Sequence, residues 1–187
     1  EIKSEIWYSA GAAYSLVGNA ERSVKALEKS LALNSRNISA CNDLGYQLAD
    51  TGKDLDRAEK LIRVAVEQQP GQSAYLDSLA WVLYKKGKFA EAAEVMEKLF
   101  ERETIDEAVI LDHYGDVLWR LGKRDEAVKR WRQAVDAGEE DADRPAGLDQ
   151  STAEKTRAKL KAAEQDPANV PVAPLGDKVA PPGAQRT

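Results

Sequence analysis

The stretch GDVLWRLGKRDEAVKRW, from Gly115 to Trp131, decides the fold. It holds two glycines, Gly115 and Gly122, and an alanine shortly after the second, Ala127. A phosphate-binding loop is excluded, because no strand precedes the glycines and no Lys-Ser or Lys-Thr pair follows the second one. Similar spacings of small residues recur at three earlier places: Gly11, Gly18 and Ser23; Gly45, Gly52 and Ala58; Ala80, Gly87 and Ala92. The stretch is therefore one unit of a fourfold repeat.

The period of this repeat predicts pairs of helices. The second glycines, Gly18, Gly52, Gly87 and Gly122, follow one another at steps of 34, 35 and 35 residues. A period near ~34 residues is typical of helix-turn-helix solenoids. On both sides of each glycine, apolar and small residues follow the i, i+3, i+4, i+7 spacing of one helix face. Each glycine is expected just after the end of a first helix, where a left-handed conformation is common.

Small residues inside the helices predict a close crossing within each pair. A glycine in mid-helix costs ~1 kcal/mol relative to alanine, so its recurrence at one phase needs a packing reason. Gly45 and its repeat equivalents lie at this phase of the first helices. Ser23, Ala58, Ala92 and Ala127 lie at the matching phase of the second helices. We expect these positions to meet where the two helices of a pair cross.

The pattern resembles the tetratricopeptide repeat family, in the style of its bacterial members. The residues that carry the resemblance are Trp7, Gly11 and Tyr14; Leu44, Gly45, Leu48, Ala58, Ala65 and Pro70; Leu79, Ala80, Leu83, Phe89 and Ala92; Tyr114, Gly115, Leu118, Ala127 and Ala134. The resemblance implies an all-α, right-handed α-α superhelix (solenoid). Its four units fall at about residues 4–37, 38–72, 73–107 and 108–141, within a domain of residues 1–141. One extra residue is expected in the turn of the second unit, between Lys53 and Arg57.

The chain changes character after the fourth repeat. Residues 142–150 are rich in acidic residues and contain proline and glycine, which predicts a loop. Residues 151–165 are predicted as a helix that caps the last repeat, with Ser151 and Glu154 as its capping box. Residues 166–187 are rich in proline and alanine and hold few large apolar side chains, which predicts a flexible tail.

Composition narrows the possible partners and compartments. The net charge of −5 offers no bulk basic field for nucleic acid. No apolar run reaches the ~20 residues that span a bilayer, so no membrane insertion by this chain is expected. The single cysteine, Cys41, excludes an internal disulfide and is expected to pack as a small hydrophobe. The start at Glu1 suggests a fragment or a processed product. A cytoplasmic location is favoured, with a periplasmic or membrane-anchored parent protein as the alternative.

The resemblance implies that the first helices line a concave, partner-binding groove. The groove residues selected by helical spacing are Tyr8, Ser9 and Ala12; Asn42, Asp43, Tyr46 and Asp50; Asp77, Ser78, Trp81 and Lys85; Asp112, His113, Asp116 and Arg120. The basic residues with which relatives grip a carboxylate are replaced by Tyr8, Ala74 and Ser78. This acidic and aromatic set favours a protein or peptide partner with basic and apolar residues. The alternative for Trp81 and Tyr46 is packing between neighbouring first helices.

No catalytic residue, metal ligand or cofactor site is expected. His113 lies between Asp112 and Asp116, and Asp77 is a conceivable further ligand, but a solvated or hydrogen-bonded histidine is the simpler interpretation. Ser78 shares the repeat phase of His113, yet nothing in the sequence supplies an oxyanion hole. The main functional hypothesis is a non-catalytic interaction scaffold. The alternative is the structural C-terminal end of a longer array of repeats, with no ligand of its own.

Overall fold

The computed structural model describes residues 1–140 and 148–177, and within these ranges the secondary structure is helical, without strands. The chain divides into two compact units, which are considered separately. Unit 1 comprises residues 1–87 and the segment that begins at Leu175, and unit 2 comprises residues 88–174. The helices of unit 1 are α1 (Ile2–Leu16), α2 (Ala20–Leu33), α3 (Ile38–Asp50), α4 (Leu55–Gln68) and α5 (Ser73–Lys85). Those of unit 2 are α6 (Phe89–Arg102), α7 (Ala108–Arg120), α8 (Arg124–Glu140) and α9 (Leu148–Gln165).

The repeated glycines end the first helices, as the spacing predicts. Gly18, Gly52, Gly87 and Gly122 have φ angles between 72° and 78°. After three of them the next backbone N–H donates to a carbonyl five residues earlier, as in Asn19 N to Tyr14 O at 2.8 Å. This pairing satisfies carbonyls that a helix end leaves unbonded.

The extra residue of the second repeat lies in the turn between α3 and α4. Helix α4 begins three residues after Gly52, whereas α2 begins two residues after Gly18. The chain accommodates the insertion at Asp54, which adopts a left-handed conformation with φ 45° and ψ 49°. Within the described ranges of the chain, Asp54 is the residue other than glycine whose φ is positive. Helices α3 and α4 still pack against each other as a pair. The inserted residue therefore alters the turn and leaves the pairing of the helices intact.

Unit 1 is held together by close crossings of its helix pairs. A Cβ added at Gly45 would lie 2.6 Å from Ile62 Cγ1 and 3.0 Å from the backbone oxygen of Ala58. At Gly11 it would lie 2.9 Å from the Leu27 side chain. In the first pair Ser23 Oγ also donates to Gly11 O at 2.8 Å, so the expected meeting of small residues is confirmed there. The fully buried side chains around these crossings include Leu27, Leu44, Ala58, Ile62 and Ala65, together with Cys41.

Unit 2 has a crossing with one large partner. A Cβ added at Gly115 would overlap the indole ring of Trp131, which is fully buried. Trp119 packs against the same ring, with centroids 5.3 Å apart. Helix α9 packs against α8 and also against α7. It therefore covers the last helix pair, which is the role expected of a terminal cap.

The C-terminal part differs from its predicted organisation. Helix α9 begins at Leu148 rather than at residue 151, so Ser151 lies inside the helix and the predicted capping box is wrong. Residues 142–147 of the predicted loop 142–150 lie outside the described residues, as do residues 178–187 of the predicted tail.

The described part of the predicted flexible tail, residues 166–177, makes specific contacts. In unit 1, Gly176 N donates to the carbonyl of Lys85 at 2.9 Å. A Cβ added at Gly176 would overlap Leu55 and lie 3.2 Å from the Gly52 oxygen. In unit 2, Arg124 donates to the carbonyl of Pro167 at 3.3 Å. Residues 166–177 thus have defined hydrogen-bond partners, although they include few large apolar side chains.

None of the helices within the two described ranges combines the length and apolar character needed to cross a membrane.

Candidate functional site

Two of the predicted groove residues in unit 2 bind a lysine of the same chain. Lys159 of α9 places its Nζ 2.8 Å and 2.7 Å from the two carboxylate oxygens of Asp112. The same Nζ lies 2.5 Å from Asp116 Oδ1. All three side chains are buried. The acidic face of α7 therefore binds a basic group, as its charge predicts. That group is the Lys159 ammonium of helix α9 in the same chain.

Asp112 and Asp116 also accept hydrogen bonds from other residues of unit 2. Thr156 Oγ1 donates to Asp112 Oδ1 at 2.6 Å. Asp116 accepts from Trp131 Nε1 at 3.2 Å and from the backbone N–H of Ala173 at 2.9 Å. Burial raises the pKa of Asp116, and the ammonium of Lys159 opposes that rise. The two carboxylates are therefore structural anchors for α9 and for the segment around Ala173.

The end of α7 is engaged by the same segment. Arg120 Nη2 donates to the carbonyl of Ala173 at 3.1 Å. His113, which is next to Asp112, is buried. Helix α9 and the chain that follows it therefore contact the face of α7 on which Asp112, Asp116 and Arg120 were predicted to line a groove.

The third repeat's groove positions on α5 are buried as well. Trp81 is 3% exposed and stacks on Tyr84, with ring centroids 5.1 Å apart and planes 5° from parallel. Its Nε1 lies 3.4 Å from Asp50 Oδ1, and the Lys85 ammonium lies 5.2 Å from its ring. Asp77 is buried too. Trp81 thus contacts Asp50 of the neighbouring first helix, α3, as well as Tyr84 of its own helix.

A cleft remains open in unit 1, between α3 and the end of the α1–α2 hairpin. Its volume is about 380 Å³. The residues that line it are Ser15, Gly18, Ala20, Asn42, Asp43, Tyr46, Gln47, Asp50 and Thr51. Four of these, on α3, were expected at the groove: Asn42, Asp43, Tyr46 and Asp50. We call this feature the α1–α3 cleft.

The wall of the α1–α3 cleft contains two buried amide oxygens that accept no hydrogen bond from any described residue. Asn42 Nδ2 donates to Asp43 Oδ1 at 3.2 Å, and Gln47 Nε2 donates to Ser23 Oγ at 2.8 Å. The oxygen atoms of the same two amides have no partner. A buried acceptor left unpaired costs about 1–3 kcal/mol, so this arrangement needs an explanation.

Asp43 adds a partly desolvated acid to this wall. Burial raises the pKa of Asp43, while hydrogen bonds from Asn42 and Tyr8 oppose the rise. Burial also raises the pKa of the Tyr8 hydroxyl, and the nearby Asp43 raises it further. Tyr8 therefore belongs to the site as the hydrogen-bond partner of Asp43.

Gln47 is one of five cleft residues that the groove prediction missed, with Ser15, Gly18, Ala20 and Thr51. It lies one turn after Asp43 on α3, and its side-chain amide reaches across to Ser23 of α2. The residue type gives no functional signal, because an exposed glutamine at this phase is equally compatible with a solvated helix face. Its i, i+4 relation to Asp43 is the sequence feature that places the two on one face.

Several residues that were considered for metal binding or catalysis have partners within the fold. In the part of the chain that the structure describes, no three His, Cys, Asp or Glu side chains are grouped so as to hold a metal ion. Asp112 and Asp116 bind Lys159 instead. Ser78 Oγ donates to the carbonyl of Ala74 at 2.9 Å, as a serine within a helix commonly does.

Comparisons with known proteins agree with this architecture. The family model described as the tetratricopeptide repeat matches residues 4–37, and a second model of the same description matches residues 73–102. A TPR repeat-containing protein of Pseudomonas aeruginosa is 39% identical over 64 residues, which are 34% of this chain and 11% of that protein. The chain thus spans about a tenth of the length of this curated relative.

Solved structures of MamA proteins share the fold. MamA from Desulfovibrio magneticus RS-1 superposes with a TM-score of 0.56 at 16% identity, covering 89% of this chain and 98% of that one. A double mutant of MamA RS-1 gives a TM-score of 0.58 at 18% identity, with 75% and 78% covered. MamA AMB-1 gives 0.56 at 22% identity, with 75% and 82% covered. At these identities the likeness shows the fold, an all-α solenoid, and nothing of the partners.

Proposed function

We propose that this chain, which contains tetratricopeptide repeats, is a non-catalytic scaffold that binds a segment of a partner protein in the α1–α3 cleft. The observation that carries this proposal is the pair of unpaired amide oxygens, of Asn42 and Gln47, in the cleft wall. Polar groups in folded proteins are rarely left buried without a partner, and a functional role is one of the recognised explanations. A bound segment that brings donors would supply the missing hydrogen bonds.

Other predicted groove residues already contact residues of the same chain, which favours the α1–α3 cleft as the binding site. Asp112 and Asp116 already bind Lys159, and Trp81 packs on Tyr84. An incoming segment would have to displace these contacts. The α1–α3 cleft is open as it stands, so it is the more accessible place for a partner to bind.

The cleft favours a partner segment with basic and apolar residues. Asp43 and Asp50 supply negative charge, and no lysine or arginine is among the lining residues. Tyr46 supplies an aromatic surface, and aromatic side chains are frequent anchors in protein interfaces. Complementary charge is expected to speed the encounter and to select against acidic partners.

A capture experiment tests the proposal. The full chain is immobilised and incubated with lysate of the source cells, and bound proteins are identified by mass spectrometry. The cleft variant carries Asp50→Arg and Thr51→Arg, two substitutions at exposed positions that place bulk and positive charge at the cleft rim. The control variant carries Asp136→Arg and Gln133→Arg, an equal change in charge at exposed positions of α8.

The expected result is a partner that the control retains and the cleft variant loses. A partner that both variants retain would show that the α1–α3 cleft is not the binding site. If neither variant nor the wild-type chain captures a protein, the interaction role itself loses support, and the structural alternative below is favoured.

The second candidate function is the structural end of a longer array of repeats. Exposed apolar side chains in the first hairpin favour it: Ile2 is 79% exposed, Ile6 61% and Leu33 52%. In the repeat register, Ile6 corresponds to Ala40, which is fully buried in α3 where another hairpin precedes it. A preceding hairpin would cover Ile6 in the same way.

A fusion tests this second candidate. A copy of residues 38–71 joined before Glu1 is expected to pack on α1 and to raise Tm, because repeat stability sums contributions from neighbouring interfaces. A copy with Leu44→Lys, which spoils its own core, is the control. An unchanged Tm with the intact copy would contradict the idea that this face is built for another repeat.

A further inference from the structure

We propose that the α1–α3 cleft recognises the ammonium group of a lysine side chain in the partner segment. This inference rests on the proposed function and specifies the chemistry of its site. The observations behind it are the acceptors of the cleft wall, the absence of a cation among the lining residues, and a lysine that the chain itself binds on an equivalent helix.

The cleft presents several acceptors, and no lysine, arginine or histidine is among its lining residues. Its wall holds the carboxylates of Asp43 and Asp50 and the unpaired amide oxygens of Asn42 and Gln47. The two oxygen atoms are themselves buried, so an incoming donor reaches them only after the amide rotates about its terminal torsion, which is broad. Asn42 is 8% exposed, which leaves it little alternative contact with water. A group that only donates hydrogen bonds and carries positive charge matches this set best.

Unit 2 shows that this phase of a first helix accepts an ammonium. Asn42 and Tyr46 of α3 correspond to Asp112 and Asp116 of α7, because the first helices repeat at steps of 35 residues from α3 onward. On α7 the Lys159 ammonium contacts both aspartates at 2.5–2.8 Å. Helix α9 delivers that lysine within the chain. On α3 no lining residue of the cleft can do so.

Lysine fits the cleft better than arginine. A guanidinium donates through a rigid planar fork, which suits the two oxygens of one carboxylate. Here the acceptors belong to separate side chains along α3, from Asn42 to Asp50. An ammonium has three donors around one compact charge and can satisfy acceptors from different directions. The ring of Tyr46, also on the cleft wall, can attract the same charge through its face.

The experiment uses a defined probe. The pentapeptide acetyl-Ala-Ala-Lys-Ala-Ala-amide is titrated into the isotope-labelled full chain and followed by NMR. Its counterparts with norleucine or with acetyl-lysine at the centre keep the four-carbon stem of the side chain and remove the charge. The lysine peptide is expected to bind about tenfold more tightly than either counterpart, a typical step for one well-placed charged contact. The side-chain amide signals of Asn42 and Gln47 are expected to shift most.

Two double variants separate the cleft from the general field of an acidic protein. Asp43→Asn with Asp50→Asn removes the carboxylates of the cleft and is expected to weaken lysine-peptide binding about tenfold. Asp125→Asn with Asp136→Asn removes equal charge from α8 and is expected to change binding less than about twofold. Equal weakening by both pairs would overturn the inference, as would equal affinity for the lysine and norleucine peptides.

The result also distinguishes this inference from the proposed function. If the lysine peptide does not bind the cleft but the captured partner still depends on Asp50 and Thr51, the interaction role stands and the ammonium specificity fails. If the captured partner is insensitive to the cleft and the peptide does not bind, both fail. If a peptide with arginine at its centre bound more tightly than the lysine peptide, the cleft would be specific for a guanidinium and the inferred ammonium specificity would be wrong.

Discussion

The ammonium of Lys159 lies 2.5 Å from Oδ1 of Asp116, and the two side chains are 6% and 0% exposed. This pair fastens α9 to α7, and Asp112 completes it from one turn earlier on α7. Breaking a buried ion pair by removing one partner is costly, because it leaves a charge without compensation. The terminal helix is consequently bound by charge as well as by apolar packing.

Substitution of Lys159 should show how strongly the attachment of α9 depends on this ion pair. Lys159→Met keeps the length of the side chain but leaves Asp112 and Asp116 uncompensated, so we expect the free energy of unfolding to fall by about 3–5 kcal/mol. Urea denaturation followed by circular dichroism measures it. Lys161→Met, at an exposed position of α9, is the matched control and is expected to be nearly neutral. Equal effects of the two substitutions would show that the buried pair is not an anchor.

The crossing of α3 and α4 should not tolerate a large side chain. In Gly45→Leu the new Cβ already approaches Ile62 and the backbone of Ala58, so we expect a loss of about 3 kcal/mol by overpacking. Ala13→Leu adds a leucine at an exposed position of α1 and serves as the control. Thermal unfolding compares the two, and a Tm of Gly45→Leu close to that of the control would refute the close crossing.

Replacement of Asp54, which has a left-handed backbone conformation in the inserted turn, by glycine should stabilise unit 1. Asp54→Gly removes the steric cost of φ 45°, and after the entropy lost from a more flexible unfolded chain a gain of about 0.5–1 kcal/mol is expected. Lys53→Gly, at the preceding residue, gains no such relief and should be neutral or destabilising. Chemical denaturation of both variants tests this, and a destabilised Asp54→Gly would show that the aspartate side chain contributes more than its backbone costs.

The raised pKa of Asp43 predicts a specific dependence of stability on pH. Burial raises the pKa in the folded state above its ordinary value of 3.8, so between these two values the folded chain binds more protons than the unfolded chain. Stability contributed by the neutral carboxyl is present below pH 3.8 and is lost as the pH rises through the folded-state pKa.

Asp43→Asn removes this loss, because the amide stays neutral. The difference in unfolding free energy between variant and wild type should therefore move in favour of the variant as the pH rises from about 3.5 to 7. Denaturation at several pH values measures it, with Asp125→Asn as the control at an exposed site. A difference that does not change with pH would contradict the partial desolvation of Asp43. A more stable but weaker-binding Asp43→Asn chain would indicate that the cleft trades stability for function.

The sequence predicted the helix pairs and their turns because both depend on local properties. A glycine in a left-handed conformation ends a helix wherever it occurs, and a 3.6-residue apolar period fixes the buried face of the same helix. Gly52 and Gly45 could thus be assigned to a turn and to a crossing from their spacing alone. The extra residue near Asp54 followed from counting the steps of the repeat.

The candidate site was predicted only in part. Asn42, Asp43 and Tyr46 were identified from their phase on α3, and they line the α1–α3 cleft. The same phase selected Asp112 and Trp81, which are buried. Helical phase tells which residues share a face, but it does not tell what packs against that face.

The amino-acid sequence by itself determined the repeat, the helices and the close crossings of α1 with α2 and of α3 with α4, since each rests on residues within about 34 positions of one another. Only the tertiary structure decided which polar positions are free. Lys159 reaches Asp116 across 43 residues, and Gly176 is held at Lys85 through a backbone N–H that every residue except proline carries. Neither contact leaves a pattern in composition or periodicity, because one depends on where a distant helix lies and the other on no side chain at all.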